Sequence, residues 1–144
     1  PDDCSLALRG LQTLAVRLEV LERNTLEIAN WLADHPQVAQ VLHPALPSCP
    51  GHAVWTRDFS GSTSVFSFIF KETITADRVV EFINQLQIFK IGMSWGGVNS
   101  LAVVYPDLQR PHHDYGRRIV RLNIGLEKVE DLTGDLAQAM ATLS

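Results

Sequence analysis

Arg121 and Ser94 are the two side chains of this sequence best suited to bind a carboxylate. Residues 118–124 alternate, so a strand here would place Val120 and Leu122 on one face and Arg121 on the other, away from the aliphatic core. A guanidinium held by a strand is a permanently charged fork, which suits bidentate recognition of a carboxylate or a phosphate. The alternative is that Arg121 lies in solvent or pairs with a surface acid, because most surface charges have no binding role.

Ser94 lies in a glycine-rich segment, residues 92–97, with the sequence Gly-Met-Ser-Trp-Gly-Gly. Three glycines in six residues allow the backbone to turn sharply and to approach a ligand closely. Ser94 would then offer its hydroxyl and peptide groups, and Trp95 a flat wall. The spacing is neither that of a phosphate-binding P-loop nor that of a dinucleotide fingerprint. The alternative for this segment is a tight turn with Trp95 buried in the core.

The elements that must position these residues can be predicted from periodicity and from capping residues. Leucine and isoleucine at three-and-four spacing predict a long helix over residues 5–34, for which packing on a sheet is favoured over a coiled coil. We predict strands at 38–42, 63–70, 88–91 and 118–124, a short helix at 51–57, helices after Thr75 and after Gly125, and a loop at 105–117. This order indicates an α+β fold, with a small, mainly antiparallel sheet, helices on one face and the long N-terminal helix in front.

Composition and charge exclude several classes of protein. At 144 residues and 46% hydrophobic content, the chain is expected to form a single domain, 1–144, with a substantial core. The net charge of −4 argues against nucleic-acid and anionic-membrane partners, and we expect a cytoplasmic protein with no membrane span. Adjacent His112 and His113 have no acidic or cysteine partner at ligand spacing, so no metal site is predicted.

Six sets of residues, spread in order over nearly the whole chain, carry a family resemblance. They are residues 9–14 with Arg17, 33–38, 43–47, 51–59, 94–97 with 100–101, and 121–122 with 124–127. Together they resemble the C-terminal domain of the fold-type I pyridoxal-phosphate enzymes of cysteine and methionine metabolism, and within that family the cystathionine beta-lyases.

The resemblance implies roles for the residues singled out above. Arg121 would hold the α-carboxylate of the substrate, Ser94 would help to bind the same group, and Trp95 would line the pocket. The chain departs from the family at Met93, where a tyrosine is common, and at Asn99, where a glutamate is usual. These departures leave the substrate preference open. The resemblance assigns no catalytic or cofactor-binding residue to this chain.

The resemblance also implies a cofactor and a reaction. Such enzymes use pyridoxal 5'-phosphate to cleave cystathionine by α,β-elimination into homocysteine, pyruvate and ammonia. The family's cofactor lysine lies upstream in a Ser-x-Thr-Lys type of segment that is absent here, and Lys71, Lys90 and Lys128 match no part of it. We therefore expect the chain alone to be inactive. Its helix at 5–34 would link it to a missing upstream cofactor-binding domain, within a parent enzyme that is a homo-oligomer.

Two alternatives remain open. The parent could be a cystathionine gamma-synthase or gamma-lyase of the same family, and a gamma-lyase would release 2-oxobutanoate in place of pyruvate. The chain could also be a non-catalytic ligand-binding or oligomerisation module. The apolar surface of the long helix distinguishes the module from the enzyme domain, because the enzyme interpretation requires a further domain to cover that surface.

Overall fold

The computed structural model describes residues 2–93, 96–105, 115 and 117–143, and it confirms the predicted α+β fold. The helices are α1 Asp2–Leu11, α2 Leu14–Ala33, α3 His52–Asp58, α4 Ala76–Gln85 and α5 Val129–Ala141. The strands are β1 Val38–Leu42, β2 Val65–Phe70, β3 Lys90–Ile91, β4 Leu101–Val104 and β5 Ile119–Asn123. The sheet order is β1-β2-β5-β4-β3, and every pair except the parallel β3-β4 pair is antiparallel.

The hydrophobic core lies between one face of the sheet and helices α2, α4 and α5. Phe66, Phe68 and Phe70 project into it from alternate positions of β2, as expected of a strand with one face in the core. The ring of Phe82 in α4 meets Phe68 and Phe70 edge-on, at centroid distances of 6.2 and 5.2 Å. Such edge-to-face pairs are favourable because the positive edge of one ring meets the negative face of another. Helices α2, α4 and α5 thus pack on one face of the sheet, and the opposite face, which carries Arg121, is called the open face below.

The prediction of one continuous helix over residues 5–34 is wrong, because the chain breaks into α1 and α2 at residues 12 and 13. Gly10 weakens the helix before the break, since glycine in a helix costs about 1 kcal/mol relative to alanine. The Arg17 side chain then stabilises the break: its Nη2 donates to the carbonyl oxygen of Gly10 at 2.7 Å and its Nε to that of Thr13 at 3.3 Å. The bond to Gly10 gives a partner to a carbonyl that a continuous helix would have paired with the Leu14 N–H, whereas the Thr13 carbonyl also accepts from the Arg17 N–H.

Helix α1 buries none of its residues in the described structure. Leu6, Leu8 and Leu11 are each more than 60% exposed, whereas α2 buries Ile28 and Leu32 completely. The sheet-facing seam predicted from periodicity is therefore a property of the second half of α2. Whether α1 links to a further domain stays a prediction.

The sequence missed β4 and misplaced two strand boundaries. Leu101–Val104 is a strand of four residues between β3 and β5. β2 and β3 each begin two residues later than predicted, at Val65 and Lys90. Most of the predicted loop at 105–117, including His112 and His113, lies outside the described residues. No helix in the described ranges is long and apolar enough to cross a membrane.

A buried carboxylate fixes the path of the chain into β3. Asp135 of α5 accepts hydrogen bonds from the backbone N–H groups of Gln87, Ile88 and Phe89, at 2.9, 2.8 and 3.1 Å. These hydrogen bonds replace the ones that the buried carboxylate would otherwise make to water. The segment that leads to Gly92 is thus anchored to the helical layer.

Candidate carboxylate-binding site

Arg121 projects from the centre of the open face of the sheet. It lies on β5, directly opposite Ser67 of β2 and Val103 of β4. Its neighbours Val120 and Leu122 are fully buried on the helical face, whereas Arg121 itself is half-buried. The alternation in the sequence therefore predicted its orientation correctly. Because β5 is bonded to a strand on each side, the Cα of Arg121 has little freedom to move.

Tyr105 orients the guanidinium group of Arg121. The Nη1 atom of Arg121 donates a hydrogen bond to the phenol oxygen of Tyr105 at 3.0 Å. Tyr105 follows β4 by one residue and falls on the same face as Val103, so its ring reaches across to the neighbouring strand. Sequence reasoning missed this residue because it missed β4. The two-residue periodicity from Val103 would have identified it.

The turn after Ser94 and Trp95 is fastened to the end of β5 by Asn123. Its Nδ2 donates to the carbonyl oxygen of Asn99 at 2.7 Å, and its Oδ1 accepts from the Gly97 N–H at 3.4 Å. The Oδ1 also accepts from the Ser64 hydroxyl at 2.8 Å. Segment 96–100 therefore lies against the start of the segment 123–127.

Residues 125–127, which follow β5, hold the end of the turn at residues 98–100. Glu127 accepts hydrogen bonds from the backbone N–H and the hydroxyl of Ser100, at 2.9 and 2.8 Å. The Ser100 hydroxyl in turn accepts from the Gly125 N–H at 2.8 Å, and the Leu126 N–H donates to the Val98 carbonyl at 3.0 Å. The sequence analysis did not foresee that the residues around Gly125 serve to bind this turn.

Gly125 is required by close packing of two backbone segments. A Cβ atom on Gly125 would lie 2.5 Å from the carbonyl oxygen of Val98 and 2.7 Å from the carbonyl carbon of Asn99. Gly96 makes a similar approach, since its Cβ would lie 3.2 Å from the Ser64 hydroxyl oxygen. Gly125 therefore allows the turn and the end of β5 to touch, and Gly96 allows the turn to approach Ser64 just before β2.

The predicted roles of Ser94 and Trp95 fall outside the described residues and stay predictions. Around Arg121 the described residues form only a small indentation of about 10 Å³. It is lined by Gly92, Leu101, Val103, Arg121, Leu122 and Asn123. Ligand pockets in proteins usually enclose about 300–1,000 Å³. This indentation is therefore too small to enclose a ligand by itself.

The described residues do not by themselves fit pyridoxal phosphate. An enzyme of this cofactor class holds it through a lysine in a pocket and pairs its pyridine nitrogen with an acid. Lys71, Lys90 and Lys128 are all exposed, and none lines the indentation beside Arg121. That the cofactor lysine lies outside this chain stays a prediction.

Comparison with known proteins decides the family. The model of the Cys/Met metabolism PLP-dependent enzymes matches residues 1–141. The chain belongs to this family. Its members use pyridoxal phosphate, so the arginine on the open sheet face belongs to a polypeptide of a cofactor-dependent family.

Two relatives and one solved structure illustrate the range of the Cys/Met metabolism enzymes that match. A cystathionine beta-lyase from Salmonella typhimurium is 43% identical over 148 residues, which cover 99% of this chain and 38% of the relative. A cystathionine gamma-lyase from Dictyostelium discoideum is 36% identical over 148 residues, covering 97% of this chain and 38% of the relative. The chain thus spans somewhat more than a third of these relatives.

The structural match is to a putative O-acetylhomoserine (thiol)-lyase from Campylobacter jejuni, which contains a pyridoxyl-lysine group. The TM-score is 0.78 at 31% sequence identity, and the match covers 92% of this chain and 30% of that one. The fold is accordingly that of a part of a fold-type I enzyme, as the resemblance implied.

Proposed function

We propose that this chain is the substrate-carboxylate-binding domain of a pyridoxal-phosphate-dependent carbon-sulfur lyase. The parent enzyme, a cytoplasmic homo-oligomer, would cleave cystathionine with water into homocysteine, pyruvate and ammonia by α,β-elimination. The observation that carries the proposal is Arg121, a half-buried arginine at the centre of an open sheet face in a chain of this family. The high identity to a cystathionine beta-lyase supports the choice of reaction.

Arg121 would act by fixing the orientation of the substrate. A carboxylate bound to the guanidinium is held at one end by charge-assisted hydrogen bonds, each contributing about 1.5–3 kcal/mol. Because β5 is bonded to β2 and β4, the fork stays in one place and the bonds at the substrate Cα point in fixed directions. When bound, pyridoxal phosphate supplies an electron sink for the charge that develops at Cα. Positioning of this kind contributes to the rate because it removes rotational freedom before the chemical step.

The proposal includes an upstream pyridoxal-phosphate-binding domain that completes the site. Its support is threefold: the indentation at Arg121 is too small to enclose a substrate, the three lysines are exposed, and Leu6, Leu8 and Leu11 of α1 are exposed. Leu8 and Leu11, three residues apart, lie on one face of α1, and an exposed apolar helix face often marks a contact with another protein surface. We therefore propose that the 144-residue chain has no turnover by itself.

Product analysis on the complete protein that contains this chain tests the proposal. The purified protein is supplied with pyridoxal phosphate and cystathionine, and pyruvate and 2-oxobutanoate are measured separately. Pyruvate formed with an equal amount of homocysteine is the expected result. Formation of neither keto acid would overturn the proposal and favour a binding module. In parallel, borohydride reduction of the 144-residue chain with cofactor should label no lysine stoichiometrically.

A gamma-lyase activity is the second candidate. It is favoured by the 36% identity to the gamma-lyase relative, and it requires the same carboxylate anchor. Formation of 2-oxobutanoate as the main keto acid in the experiment above would select it over the beta-lyase.

A further inference from the structure

We infer that Asn123 is a positioning residue of the carboxylate-binding site. It holds the turn at 97–99 in a fixed place beside Arg121, and through that turn it sets the affinity for the substrate carboxylate. The inference rests on the proposed function of Arg121, and it adds a residue to which neither the motifs nor the family resemblance gave a role.

Both the oxygen and the nitrogen of the Asn123 side-chain amide make hydrogen bonds. Its Oδ1 accepts from the Ser64 hydroxyl at 2.8 Å and from the Gly97 N–H at 3.4 Å. Its Nδ2 donates to the carbonyl oxygens of Asn99 at 2.7 Å and of Gly97 at 3.5 Å. Donors face the oxygen and acceptors face the nitrogen, so the network itself determines the orientation of the amide. A side chain with only acceptors or only donors could not make these four bonds.

Asn123 is buried although it lies on the open face of the sheet. It is 4% exposed, whereas Arg121 on the same face of the same strand is half-buried. What covers Asn123 is the turn that it binds. A buried polar group that loses its partners costs about 1–3 kcal/mol, so the turn and the amide stabilise each other.

The link to Arg121 is short and rigid. The two residues are separated by one residue on β5, point to the same side, and line the same indentation together with Gly92. β5 lies between β2 and β4, so the distance between the Cα atoms of Arg121 and Asn123 is fixed by strand geometry. Any displacement of the turn relative to Arg121 must therefore break the hydrogen bonds of Asn123.

The hydrogen bonds that Leu126 and Glu127 make to the turn lie farther along the chain from Arg121 than those of Asn123. Glu127 binds Ser100, and Leu126 binds Val98, whereas Asn123 alone among the described side chains hydrogen-bonds to Gly97. Without Asn123 the far end of the turn would still be held, and its near end would be released. Loss of affinity with retention of the fold is the expected consequence.

The test uses the complete protein with its cofactor and compares Asn123→Ala, Asn123→Asp and Arg121→Ala. Asn123→Asp keeps the two accepted hydrogen bonds and loses the two donated ones. It can therefore replace Asn123→Ala in this test if the alanine variant does not fold. Both Asn123 variants should raise KM for cystathionine about tenfold, equivalent to about 1.4 kcal/mol, with kcat changed less than twofold. The matched control is Asn24→Ala, since Asn24 is a buried asparagine of α2, 6% exposed, that does not line the indentation. It should lower the melting temperature and leave KM unchanged.

The double variant Asn123→Ala with Arg121→Ala shows whether both residues act on binding of the substrate carboxylate. If Asn123 acts through the carboxylate site, Asn123→Ala raises KM much less in the Arg121→Ala background than in the native one. If Arg121→Ala raises KM but both Asn123 variants lower only the melting temperature, the positioning role is refuted and the proposed function stands. If Arg121→Ala itself leaves KM unchanged, the proposed function fails.

Discussion

Replacement of Gly125 by alanine should detach the turn at 97–100 from the end of β5. A Cβ at this position would meet the carbonyl oxygen of Val98 at 2.5 Å and the carbonyl carbon of Asn99 at 2.7 Å. Both are backbone atoms, and contacts below 3.0 Å require one of the two segments to move. Since β5 is paired on both sides, we expect the turn to move.

The magnitude follows from the hydrogen bonds that hold the two segments together. Movement of the turn breaks the bonds donated by the backbone N–H groups of Gly125, Leu126 and Ser100. At about 1 kcal/mol each, the free energy of local opening falls by about 3 kcal/mol. This corresponds to roughly a hundredfold increase in the population of the open turn.

Amide hydrogen exchange of the complete protein, read by peptide mass spectrometry, measures this opening locally. Peptides that contain residues 97–100 and 125–126 should exchange about a hundredfold faster in Gly125→Ala than in the native protein. Gly134→Ala is the matched control, because Gly134 lies inside α5 with no atom within 4 Å of its added Cβ. That variant should stabilise α5 by about 0.5–1 kcal/mol. Unchanged exchange at 97–100 in Gly125→Ala would refute the close-packing argument.

Three further predictions concern stability, measured by thermal and urea unfolding. Asp135→Ala removes the acceptor of three backbone N–H groups and should destabilise the protein by about 3 kcal/mol, whereas exposed Asp131→Ala should change stability by less than about 0.5 kcal/mol. Phe68→Ala should cost about 3–5 kcal/mol, and Phe59→Ala, 63% exposed, almost nothing. Burial lowers the pKa of His43 below its usual 6.5, so its stabilising contribution is complete above pH 6.5 and is lost as pH falls further. His43→Asn should flatten the pH dependence below 6.5, and an unchanged slope would count against this.

Local patterns predicted most of the architecture. Alternation gave β5 and the orientation of Arg121, and Thr75 caps α4 as expected, with its side chain accepting from the Arg78 N–H. The aromatic stripe of β2 is in the core. These features depend on residues that are close in the sequence, where period and capping are reliable guides.

The structural features that the sequence did not predict depend on contacts between residues that are distant in the sequence. β4 is a four-residue strand whose pairing is set by its neighbours, and the break between α1 and α2 is stabilised by the Arg17 side chain. The position of Glu127 after Gly125 suggests a favourable charge near the N-terminus of the following helix. α5 begins at Val129, and the Glu127 carboxylate instead binds Ser100, 27 residues away in the sequence. No local pattern encodes such a contact.

The central claim is that Arg121 binds the substrate carboxylate, and the kinetics of Arg121→Leu in the complete protein test it most directly. Loss of two charge-assisted hydrogen bonds should lower kcat/KM for cystathionine by about a hundredfold or more. Arg57→Leu is the matched control, because Arg57 is an exposed arginine paired only with its neighbour Asp58 among the described contacts. The expected fall in kcat/KM is about a hundredfold for Arg121→Leu and less than twofold for Arg57→Leu. Equal values of kcat/KM for Arg121→Leu and the native protein would contradict it.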